Sequence, residues 1–121
     1  MQEDINSQII RRYFGAYKTK NRTEVESLLA AEFTFTSPYD DTIDRATYFE
    51  RCWPNSEHRG ETILERVVAE GSGVFVTYLA VTDEGTEFRN TEFFVFAGDQ
   101  ISSVDVYFGA SYKDGAFQKQ Q

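Results

Sequence analysis

Three glycine-bearing turns constrain this chain more than any other feature. Gly71-Ser72-Gly73, Asp83-Glu84-Gly85 and Gly98-Asp99 cut its second half into four β-rich runs: Thr62 to Glu70, Val74 to Thr82, Thr86 to Ala97 and Gln100 to Phe108. Connections this short leave no room for a crossover, so successive strands must be antiparallel neighbours and the four form a meander. The first half has a different period. Ile5, Ile9, Ile10, Tyr13, Phe14 and Tyr17 recur at helical spacing, with Asp4 or Asn6 as the cap. Thr23 and Glu26 have capping-box spacing ahead of Val25, Leu28 and Leu29, which predicts a second short helix. Phe33 and Phe35 alternate with Thr34 and Thr36 as a short strand, and Ser37 to Asp41 reads as a loop. Asp44 suits the N-cap of a third helix carrying Tyr48, Phe49, Cys52 and Trp53, and Pro54 stops it.

Helices first and an antiparallel sheet afterwards place the chain in the α+β class. Three N-terminal helices on one face of a strongly curved meander sheet make a cone with a central pocket. The 121 residues suit one domain over 1–121, with no linker or internal repeat, and Gln118 to Gln121 read as a loose end.

Composition narrows the function classes. Twelve basic against twenty acidic residues give a formal charge of -8, which repels phosphate backbones and anionic lipid and so argues against nucleic-acid and membrane partners. Aromatic residues reach 16%, too many for a disordered chain and enough to surround a cavity. No apolar run approaches the roughly 18 residues of a membrane span. The acidic start Met1-Gln2-Glu3-Asp4 is no secretory signal, and the lone Cys52 cannot close an internal disulfide. Together these point to a cytoplasmic setting.

Arg12-Tyr13 in the first helix, Phe33-Thr34-Phe35-Thr36-Ser37-Pro38 after the second, and Asn90 to Phe96 running on to Tyr107-Phe108-Gly109 carry a resemblance. Over roughly Gln8 to Gly109 the chain resembles the nuclear-transport-factor-2-like superfamily, a cystatin-like cone, in its SnoaL-like polyketide-cyclase and ketosteroid-isomerase branch. The resemblance implies roles residue by residue. Tyr13 falls where ketosteroid isomerases place a tyrosine that donates to the developing enolate oxygen. Glu92 falls where they place a second donor, a protonated carboxylic acid, here Glu in place of Asp. Their general base, an aspartate before a proline, corresponds to Ser37, and a serine hydroxyl takes no proton from carbon without a base of its own. The acid that polyketide cyclases carry on the last strand corresponds to Val106, and their histidine to Val104. Asp105, one residue away, turns to the opposite face and is held in reserve.

The candidate site follows. Tyr13 and Glu92 are the oxyanion pair, with burial expected to raise the Glu92 pKa, and Asp41 or His58 would move the proton. The plainer readings are a core aromatic for Tyr13, a solvated or Arg-paired residue for Glu92, turn formers for Asp40 and Asp41, and a solvated loop imidazole for His58. Phe88, Asn90, Glu92, Phe94 and Phe96 share one strand face, which favours enclosure of Glu92. The pocket is expected to include Tyr17, Phe35, Ser37, Phe49, Trp53, Asn90, Phe94, Val104, Val106 and Phe108. Arg89, Thr91, Asp105 and Tyr107 fall on the convex face, through which the resemblance implies a homodimer. No metal-ligand spacing and no Gly-rich phosphate loop is present, so neither cofactor nor metal is expected. The function expected is binding of a small apolar or carbonyl-bearing molecule, with proton transfer next to a carbonyl, of isomerase or cyclase type, as its chemistry. The alternative is a non-catalytic ligand-binding or dimeric accessory module with a vestigial pocket.

Overall fold

The computed structural model describes residues 4–119, apart from the side chains of residues 57–59. Helix α1 (Ile5–Lys18) starts at Asp4, whose carboxylate accepts from the Ser7 amide. Helix α2 (Arg22–Leu28) is capped by Asn21, which accepts from the Glu24 amide. The cap therefore lies two residues before the expected Thr23: Asn21 already stands three residues ahead of a free amide, and Thr23 falls inside the helix. Helix α3 (Arg45–Arg51) starts at Asp44 as expected but ends earlier than expected: Cys52 is its C-cap, and Trp53 and Pro54 open a 3-10 turn, Trp53–His58, because proline's missing N–H is tolerated in a first turn.

Seven strands form one sheet: β1 (Leu29–Ser37), β2 (Asp40–Asp44), β3 (Arg59–Glu70), β4 (Gly73–Thr82), β5 (Glu87–Ala97), β6 (Gln100–Lys113) and β7 (Ala116–Gln118). Their order is β2-β1-β6-β5-β4-β3, with β7 beside β6. The β3–β6 meander is antiparallel throughout, and β1 joins it parallel to β6. Two expectations are corrected. The Ser37–Asp41 loop is instead a hairpin in which Ser37 faces Asp40 and β2 returns along β1. The loose end is partly a strand, since β6 continues to Lys113, turns at Asp114 and Gly115, and lays Gln118 against Ser111. Both strands are short, five and three residues, so their sequences hold too little alternation to mark a strand.

Irregularities bend the sheet. Register shifts lie between Phe35 and Ser37, Leu64 and Arg66, Phe88 and Asn90, and Val95 and Phe96. Each such shift kinks a strand and adds twist, which rolls the sheet into an unclosed cone. Gly109 sits opposite one of them; a Cβ there would lie 2.2 Å from the Arg89 carbonyl oxygen. Three concave rows follow from the pairing: Tyr78–Asn90–Phe108, Val76–Glu92–Val106 and Val74–Phe94–Val104. The helices pack into this concavity. Tyr13 meets Phe94, Phe14 meets Tyr78, and Tyr48 meets Phe33, with ring centroids 5.5, 5.3 and 5.1 Å apart. Burial of Ile10, Val25, Leu29, Phe33, Val74, Val76 and Phe94 completes the core. Each such side chain contributes on the order of 1.5–3 kcal/mol. Among the described residues no helix is long and apolar enough to cross a membrane.

Candidate functional site

The helices do not fill the cone. A cavity of about 490 Å³ remains between the concave rows, α1, α3 and the β1–β2 hairpin. Glu92 points into it from β5 and is only 7% exposed. Strand alternation puts it there: Val76 and Val106 flank it on the neighbouring strands, and all three face inward. Burying a carboxyl among apolar neighbours is costly without hydrogen bonds. Tyr78 supplies one, its hydroxyl donating to Glu92 Oε2 at 2.5 Å. Asn90 Nδ2 donates to the Tyr78 oxygen at 3.2 Å, and Asn90 Oδ1 accepts from the Gly109 amide at 3.4 Å. That second bond fixes which way the Asn90 amide faces, and so fixes Tyr78 as donor to the acid.

A second polar group comes from the helices. The Tyr48 hydroxyl lies 2.6 Å from that of Tyr13 and also meets that of Tyr17. One turn of α1 separates Tyr13 from Tyr17, which brings both phenols to Tyr48 on α3. Burial, and after it the nearby Tyr48 and Glu92, push the Tyr13 phenol well above its ordinary value, so it stays protonated. Tyr13 and Glu92 thus face one chamber, each anchored by a different tyrosine.

The β1–β2 hairpin adds a third group. Ser37 Oγ accepts from the Tyr39 amide at 3.1 Å and donates to Asp40 Oδ2 at 3.3 Å. Arg51 Nη2 lies 2.9 Å from Asp40 Oδ1 as an ion pair without hydrogen-bond alignment. The Asp40 side chain is 10% exposed and lines the cavity. Cys52 lines it too; burial, and next the Asp40 charge, push its thiol up to about 11, against the pull of Arg51. Tyr39 is largely exposed, stands at the rim and packs edge-on against Phe108.

A model of the SnoaL-like domain matches residues 10–104. The chain belongs to the SnoaL-like domain family. Among solved structures this SnoaL-like chain is similar to a candidate ketosteroid isomerase from Kribbella flavida, at 18% identity and TM-score 0.74, covering 90% of this chain and 81% of that one. It is similar to an LEH-like epoxide hydrolase from M. tuberculosis, at 15% identity and TM-score 0.71, covering 86% and 82%. A third is a Catenulispora acidiphila protein of ketosteroid isomerase-like fold in complex with trimethylamine, at 14% identity and TM-score 0.69, covering 84% and 85%. At such identities the likeness is one of fold. Among curated proteins none matches the chain.

Of the residues singled out in the sequence, Tyr13, Tyr17, Phe35, Ser37, Asn90, Glu92, Val106 and Phe108 line the cavity of this SnoaL-like domain. Phe49, Phe94 and Val104 instead lie in the buried core, and Trp53 packs on Tyr17 and Phe49. Asp41 is exposed and accepts from the Thr42 hydroxyl; Asp40, one residue earlier, is the carboxylate that enters. Asp105 pairs with Phe93 on the face opposite Val104 and Val106. The His58 side chain lies outside the described residues. Tyr48 and Tyr78, which hold the two key groups, were not singled out: each reads as an ordinary element residue, and only the fold shows what its hydroxyl reaches. Among the described residues no three His, Cys, Asp or Glu side chains gather as a metal site.

Proposed function

We propose that this SnoaL-like domain, as one domain over residues 1–121, binds a small, mostly apolar molecule in the cone and reads one polar group of it with Tyr13 and Glu92. The observation that carries this reading is a buried carboxyl and a protonated buried phenol facing an otherwise largely aromatic cavity of about 490 Å³. Ligand sites are of this kind, an apolar hollow with a few convergent polar groups. A carbonyl or hydroxyl group suits the pair, and the trimethylamine complex of the Catenulispora relative brings amines within the range of guests for the fold. Titration with 2-naphthol, followed by its fluorescence, tests the reading. Saturable binding that weakens in Glu92→Gln is expected; no binding to the folded protein contradicts it.

One observation favours chemistry as a second reading. Asp40 lines the cavity beside Ser37, the position that corresponds to the isomerase base. A carboxylate there would take a proton from carbon next to a ketone, the Tyr13 phenol would donate to the enolate oxygen, and protonated Asp40 would return the proton. Deuterium exchange at the α-carbons of 2-tetralone in heavy water, followed by proton NMR, should be faster with the protein and slower again with Asp40→Asn. An exchange rate equal to that of buffer leaves a binding module with no proton transfer.

A second copy of the chain is the partner that suits the convex face. Exposed Ile63, Val68, Phe75 and Tyr107 lie on that face, Val68 and Phe75 as a cross-strand pair, and burying them is favourable. The single cysteine suits a reducing, cytoplasmic setting.

A further inference from the structure

Nine of the eighteen residues lining the cavity are aromatic, two are the carboxylates Asp40 and Glu92, and among the described residues none is Lys, Arg or His. The composition is one-sided. Ring faces carry negative electrostatic potential, Asp40 is the charged partner of Arg51, and the Glu92 carboxyl, which accepts from Tyr78, turns acceptor oxygens toward the cavity, so all three favour the same kind of guest. The two acids come from separate elements, the hairpin and β5, and reach the cavity from different sides of the cone. Arg51 holds Asp40 from outside the lining with its own side chain half exposed, and so offsets only part of the Asp40 charge. Tyr78 is bonded to Glu92 but brings a shared proton, not a charge. The formal charge of -8 on the chain adds a field that draws cations toward the protein.

We propose that the cavity selects a small organic cation, a tertiary or quaternary ammonium, over a neutral molecule of the same shape. The proposal rests on reading the cavity as a ligand site, and it adds the chemical class of the ligand. A quaternary ammonium fits such a lining better than a primary amine: it is weakly hydrated, needs no hydrogen-bond acceptor, and gains from rings on several sides.

An isosteric pair tests it. 3-Hydroxyphenyltrimethylammonium and 3-tert-butylphenol differ in one central atom and one charge, and at about pH 6.5 both phenols are neutral. Isothermal titration of the full chain with each should show the ammonium binding roughly tenfold tighter, as expected of a cation desolvated against aromatic faces. The ratio between the two guests should narrow in Glu92→Gln and in Asp40→Asn. Should either variant fail to fold, the same ratio measured on the unaltered protein in low and high salt carries the test, and it should narrow as salt rises. Equal affinities, or tighter binding of the neutral guest, overturn the selection of a cation while leaving the cavity as a ligand site. Binding of neither guest overturns both.

Discussion

Tyr48 ties two cavity-lining phenols together. Its hydroxyl meets those of Tyr13 and Tyr17, and its ring packs on Phe33 and Phe35. Replacing it with Phe keeps the ring and leaves two phenols without that partner. Loss of a buried hydrogen-bond partner costs about 1–3 kcal/mol, so urea unfolding should show Tyr48→Phe destabilised by that order. The same change should weaken guest binding by freeing the Tyr13 hydroxyl from its fixed direction. Cys52 gives a second test at this scale. A thiol held at about 11 is almost wholly protonated near neutrality, so iodoacetamide should alkylate it much more slowly than free cysteine, and a guest in the cavity should slow it further. Fast alkylation that guests do not alter would place Cys52 outside the chamber. At the same scale, the helical and strand periods made the inward facing of Tyr13 and Glu92 legible, while their choice as a pair came from the family resemblance. Tyr48 and Tyr78 were not, since a tyrosine hydroxyl finds its partner through tertiary packing that no local pattern encodes. Asp40 and Asp41 were confusable for a similar reason: adjacent strand residues face opposite ways, and the hairpin register decides which enters.

Among the elements, α3 depends on its cap. Asp44 accepts from the Thr47 amide at 2.9 Å, and that bond holds its carboxyl below the usual value of 3.8. A depressed carboxyl contributes stability that is fully present above the unfolded value and is lost as pH falls through the folded one. Asp44→Ala should therefore lower the urea midpoint at neutral pH, and the gap from the unaltered protein should close in strong acid. A gap independent of pH would assign the loss to something other than the cap. The bend of β5 against β6 depends on Gly109, where backbone of the neighbouring strand fills the place of a side chain. Gly109→Ala should cost about 1–3 kcal/mol, as overpacking does, and should disturb Asn90, whose amide oxygen accepts from the Gly109 amide. The meander was plain from its turns, and the start of α3 from Asp44; its end was not, since the helix stops at Arg51 and Pro54 falls inside the 3-10 turn that follows. The β2 and β7 strands escaped because pairing with longer neighbours, rather than their own residues, makes them strands.

For the whole molecule, curvature decides the outcome: a flat sheet under three helices would have a solid core, and this bent one keeps a chamber. The proposed dimer would form on the convex side, where Ile63, Val68, Phe75 and Tyr107 are exposed. Light scattering should report twice the 13.9 kDa mass of the chain, and Tyr107→Asp, which places charges against charges at such a face, should shift it toward the monomer. A monomer at all concentrations would leave the convex face without this partner. The central claim is that guests enter the cone and meet the buried phenol and acid. Intermolecular NOEs between 3-hydroxyphenyltrimethylammonium and the labelled protein test it most directly. The account predicts contacts to Tyr13, Tyr78, Val106 and Phe108; contacts confined to the outer face of the sheet, or none at saturating guest, would contradict it.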